Sequence, residues 1–71
     1  MIRVFHLERD LDLSGVSGVG VVAEGVEFTD GVVVLRWRSG TATTAVHANL
    51  ASVQEIHGHG GATRIVFEDQ Q

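Results

Sequence analysis

Apolar residues alternate with polar ones at both ends of this chain, and fall at every third position in one short stretch before the last alternation. The pattern predicts strands and a single helix. Residues 2–7 form a first strand with Phe5 and Leu7 on one face and Val4 and His6 on the other. From Glu8 to Gly18 the alternation gives way to a polar, glycine-punctuated segment, too long for a simple hairpin turn. Valines return between Val19 and Phe28, where Gly20 and Gly25 suggest a strand with a bulge or break near Gly25. Asp30-Gly31 then marks a hairpin into Val32 to Arg38. In that strand Val33, Leu35 and Trp37 share one face, and Val34, Arg36 and Arg38 the other. Ser39-Gly40 makes a second turn into a threonine-rich candidate edge strand, Thr41 to His47.

Asn49 caps a short helix with apolar positions Leu50, Val53 and Ile56, which Gly58 is placed to end in a left-handed conformation. Ser52 and Glu55 also match a capping box, but a start there leaves little more than one turn. Thr63 to Glu68 is the last strand, with Ile65 and Phe67 inward and Arg64 and Val66 opposite. The expected fold is mainly β (α+β): a small antiparallel sheet or partly open barrel of about five strands, with one short helix before the last strand. Phe5, Leu7, Val33, Leu35, Trp37, Ile65 and Phe67 are its expected core, together with Leu50, Val53 and Ile56 from the helix.

With 71 residues the chain is read as one β-rich domain, residues 1–71, and such a chain buries only about 60% of its unfolded surface. Without cysteine it has no disulfide to supplement a thin core, which makes self-association the expected device. A formal charge of −4 argues against general nucleic-acid binding. The five cations are all arginine, a side chain suited to bidentate contact with phosphate or carboxylate, although a GC-rich genome accounts for the same bias. Met1 to Leu13 carries charges throughout and no apolar run approaches spanning length, so a soluble cytoplasmic protein without membrane contact is expected.

Candidate chemistry concentrates in Ile56-His57-Gly58-His59-Gly60-Gly61-Ala62-Thr63-Arg64, where two imidazoles, a hydroxyl and a guanidinium stand among glycines. His57 and His59, with His6 and His47, raise a metal site, but the spacing matches no zinc motif, and a helix end with His57 at the negative pole of the dipole is favoured. Ser14 or Ser17 with a histidine and Asp10 or Asp12 suggests a hydrolase, yet neither serine lies in a Gly-x-Ser-x-Gly elbow. Asp10 and Asp12 lack the glycine and glutamate of a calcium loop. Gly15 to Gly20 offers backbone N–H groups to a phosphate without being a dinucleotide fingerprint. Arg36, Arg38 and Arg64 share a sheet face if their strands are neighbours; separate ion pairs with Glu24, Glu27 and Glu68 are the plainer alternative.

The blocks Phe5-His6-Leu7-x-Arg9-Asp10-x-Asp12-x-Ser14-Gly15-Val16-Ser17-Gly18 and Val22-Ala23-Glu24-Gly25-Val26-Glu27-Phe28-x-Asp30-Gly31 resemble a family of small uncharacterised proteins from actinobacteria, haloarchaea and their phages. Leu35-Arg36-Trp37 and the His57 to Arg64 stretch resemble the same family, so the resemblance covers nearly the whole chain. It carries over no activity and no catalytic residue, and implies only an accessory or host-interaction role.

The reading is a non-catalytic, homo-oligomeric binding protein for a small anionic ligand, with a nucleotide as the candidate and phage-type sequestration or host interaction as the role. Arg36, Arg38, His57, His59, Arg64, Ser14, Ser17 and Gly18 are its candidate ligand-binding residues; no cofactor, metal or catalytic residue is expected. A protein-interaction module using Trp37 and the arginine face is the alternative. A small His/Asp-dependent hydrolase ranks last.

Overall fold

The structure is a computed structural model and describes residues 1–10, 20–38, 41–58 and 63–68. Its elements are strands Arg3–Arg9 (β1), Gly20–Glu27 (β2), Val33–Trp37 (β3) and Thr44–His47 (β4), helix Leu50–His57 (α1) and strand Thr63–Phe67 (β5). The strands form one antiparallel sheet in the order β4-β3-β2-β1-β5. Its end strands do not pair with each other, so the sheet is open rather than a barrel.

Alternation along each strand assigns the two faces. One carries Phe5, Leu7, Ala23, Val33 and Leu35, and Val53 of α1 packs on it; Trp37, Leu50, Ile65 and Phe67 border that cluster. At its centre Phe5 lies opposite Gly25, where a Cβ would overlap the Phe5 ring. Gly25 is thus the space Phe5 occupies, not a break in the strand. The irregularity falls instead between Leu7 and Glu8, whose partners on β2 are Ala23 and Val21, leaving Val22 as the extra residue. Val22 and Ala23 join the core. Neither was expected there, because a run of valines hides the alternation that separates inward from outward positions.

Local chemistry explains the turns. The hairpin is closed by Gly31 N–H donating to the Phe28 carbonyl (2.9 Å) and Phe28 N–H donating to that of Val32 (2.8 Å), with Gly31 at φ 95°. Asp30 Oδ1 accepts from Val32 N–H at 3.1 Å, which adds a side-chain turn to the backbone one. Asn49 caps α1 as expected, accepting from Ser52 N–H at 2.8 Å. Gly58, expected to be left-handed, is right-handed (φ −68°, ψ −28°), and continues the helical bonding through Gly58 N–H to the Gln54 carbonyl. Glycine suits that position because a Cβ would collide with Gln54.

Ile56, expected in the core, is exposed. At 100° per residue Leu50 and His57 flank Val53 on one side by about 60° and 40°, whereas Ile56 lies about 60° to the other side. The helix is turned so that His57 faces Trp37, which leaves Ile56 outside. Leu35→Ala should cost about 2–5 kcal/mol of stability, read from the urea midpoint. A folded variant with an unchanged midpoint would contradict the core assignment.

Candidate functional site

Strand β1 runs two residues beyond its expected end, and the second of them is Arg9. Because Arg9 continues the Phe5, Leu7 alternation it points to the covered face, where only 3% of it remains exposed. Its Nε donates to the Thr63 hydroxyl at 2.8 Å, and the two residues are register partners across β1 and β5. Thr63 is itself buried. A guanidinium stays charged at every relevant pH, and burial of a charge is costly unless an opposite charge compensates it. Among the described residues the partner of Arg9 is a neutral hydroxyl.

The setting of Arg9 follows from the topology. Gly20 is its register partner on β2, Trp37 pairs one step away with Ala23, and Thr63 N–H donates to the Gly58 carbonyl at 3.0 Å. The end of β1, the start of β2, the end of β3 and the start of β5 therefore meet at one end of the sheet.

Arg64, the next residue after Thr63, points to the opposite face. Its Nη2 and Nε donate to Asp10 Oδ1 and Oδ2 at 2.9 and 3.2 Å, and Nη2 lies 3.4 Å from Glu8 Oε1. The Asp10 hydrogen bonds and charge, with a smaller contribution from Glu8, raise the guanidinium pKa above its ordinary value. His6 Nε2 is 3.1 Å from Glu8 Oε2, which extends this polar chain along the face. Solvent screens its exposed Arg64–Asp10 end, which orders side chains more than it stabilises the fold.

Arg36 occupies that same outer face, donating from Nη1 to the Thr44 hydroxyl at 2.9 Å. Strands β2 and β1 separate it from the strand of Arg64, a lateral distance of roughly 14 Å at ~4.8 Å per strand. The two arginines share a face without being neighbours. Arg38 follows β3, with its backbone N–H donating to the Val22 carbonyl and its side chain exposed.

His57 lies on the covered face, away from Arg36 and Arg64. Its ring packs edge-on against Trp37 (centroids 4.8 Å apart) and His47 (5.4 Å). His47 Nδ1 is 3.2 Å from Ser52 Oγ, and its buried Nε2 has no hydrogen-bond partner among the described residues. His6 faces outward, so it cannot complete a metal site with His47; among the described residues no group of three or more potential ligands converges. Asp10 is held by Arg64 rather than by a histidine. Ser14, Ser17, Gly18 and His59 lie outside the described residues.

Reading the sequence missed Arg9, whose partner Thr63 supplies the hydroxyl of the His57 to Arg64 stretch. Arg9 had a signal, its even spacing from Phe5 and Leu7, but the flanking Glu8 and Asp10 made the segment read as loop.

The profile of a family described as Acb5 phage protein matches residues 2–69. This chain belongs to the Acb5 phage protein family. No curated protein and no solved structure matches it. What this Acb5 family member presents among its described residues is thus a buried arginine at one end of the sheet and an ionic chain on the outer face. No helix among them is long and apolar enough to cross a membrane.

Thr63→Val keeps the shape but leaves the Arg9 Nε–H without its acceptor, at a cost of about 1–3 kcal/mol measured by urea unfolding. An unchanged midpoint would contradict a structural role for this bond.

Proposed function

We propose that this phage-family protein is a non-catalytic, homo-oligomeric binding protein for a small anionic ligand, of which a nucleotide is the leading candidate, and that sequestration or host interaction is its role. The observation supporting the anion is Arg9, a buried guanidinium whose described partner is the uncharged Thr63 hydroxyl. A phosphate oxygen would supply the charge that the hydroxyl does not, at a place shielded enough for the contact to be strong.

This reading moves the anchor from the arginines first considered. Arg64 is already occupied by Asp10 and Glu8, and Arg36 faces away from Arg9, so both serve the outer face. Ser14, Ser17 and Gly18 stand in the sequence between Asp10 and Gly20, and His59 between Gly58 and Thr63. They are proposed as further ligand contacts, together with Arg38 and His57. Because the whole chain is acidic, affinity would come from local geometry rather than long-range attraction, and binding would persist at moderate salt.

Titration calorimetry of the full chain with inorganic pyrophosphate and with ATP tests the reading. Saturable heat is expected, with the melting temperature rising by mass action. Arg9→Met combined with Thr63→Val removes charge and hydroxyl together, and should abolish that heat while circular dichroism shows a folded sheet. Arg64→Ala should retain it. An absence of heat from the unmodified protein across a panel of phosphorylated compounds would overturn the ligand reading, as would full binding by a folded Arg9→Met, Thr63→Val variant.

A further inference from the structure

The helix covers one face of the sheet, and the other is not a uniformly polar surface. Val4, Val26, Val34 and Val46 are successive register partners across β1, β2, β3 and β4, forming a row of valines on four adjacent strands. Val4 is 41% exposed and Val46 71%. The next row along the strands, His6, Glu24, Arg36 and Thr44, is polar and also in register. A shallow groove of about 280 Å³ lies over the middle of the two rows, lined by Val4, Glu24, Gly25, Val26, Val34 and Arg36.

Glu24 and Arg36 face each other across β2 and β3, yet they do not form an ion pair: Arg36 bonds to Thr44, and among the described residues Glu24 has no charged partner. Their arrangement is self-complementary. Consider a two-fold axis lying between two stacked sheets, parallel to the strands and midway between β2 and β3. That operation exchanges β2 with β3 and β1 with β4 while keeping each row at its own height. Val26 then meets Val34 of the partner subunit, Val4 meets the partner's Val46, and Glu24 meets the partner's Arg36 twice over. Aligned stacking of this kind is a common way for two sheets to bury their faces, and a two-fold interface requires this reciprocity.

We infer that a second copy of this chain packs on the outer face through the valine row, with reciprocal Glu24–Arg36 ion pairs beside it. The inference deepens the homo-oligomeric part of the proposed function and is independent of the ligand part. The contact is through a face rather than through the edge of the sheet, where β4 would add a partner's strands side by side. Arg64, on β5, lies beyond the four stacked strands, and Glu8 and Asp10 lie past the polar row at the end of β1.

Light scattering coupled to size exclusion, on the full chain over a range of micromolar concentrations, reads the outcome. A dimer is expected. Val34→Asp, on the outer face and so compatible with folding by circular dichroism, should raise the dimer dissociation constant about tenfold or more. Glu24→Arg alone and Arg36→Glu alone should each weaken the dimer, and the double exchange should restore it. A monomer at the highest concentration would overturn both this interface and the oligomeric reading, leaving the face to a different partner. A dimer indifferent to Val34→Asp and to both single exchanges would overturn the face assignment alone and point to pairing through β4. In either case calorimetry with pyrophosphate still decides the ligand reading separately.

Discussion

Among the described residues one eight-residue helix has to cover a five-stranded sheet, and most of the described structure follows from that shortage. A sheet face of this width needs a second layer to bury it, and the described residues supply apolar helix surface for one face only. The packing is correspondingly economical. Phe5 lies over Gly25, Val53 is the one buried residue of the helix, and the borders of the core are closed by half-buried Trp37, Leu50, Ile65 and Phe67. The uncovered face keeps a valine row because β-branched residues suit a pleated strand whether or not a layer from the same chain lies on them.

The two kinds of arginine show how burial decides what a charge does. Arg64 has the more conspicuous contacts, two hydrogen bonds to Asp10 and one longer contact with Glu8, but it lies in solvent where such pairs contribute little. Among the described residues Arg9 makes a single side-chain bond, to a neutral hydroxyl, in a place where water scarcely reaches it. The second arrangement is the one an anion would change.

Strand periodicity made the architecture legible before any coordinates. Asp30-Gly31, Asn49 and the alternation of Val33, Leu35 and Trp37 each act through local chemistry, and each has the predicted role. What stayed hidden depends on tertiary contact. The valines from residue 19 onward read equally well in either register, so nothing local reveals that the bulge is at Val22. The rotation of the helix that exposes Ile56 is set by His57 meeting Trp37, a contact between residues twenty positions apart. Arg36 and Arg64 share the outer face, but their strands are not the neighbours that a common arginine site needs, because strand order, which no local pattern encodes, places two strands between them. Arg9 was passed over because charged neighbours outweighed its even spacing from the core residues.

Side-chain NMR of the arginine Nε–Hε groups tests the account most directly, since it separates the five arginines within one folded protein. On titration with inorganic pyrophosphate, the Arg9 resonance should move saturably, while those of Arg36 and Arg64 stay where they are. Saturable movement of Arg36 or Arg64 with Arg9 unchanged would contradict the assignment of the buried guanidinium as the anion-binding group.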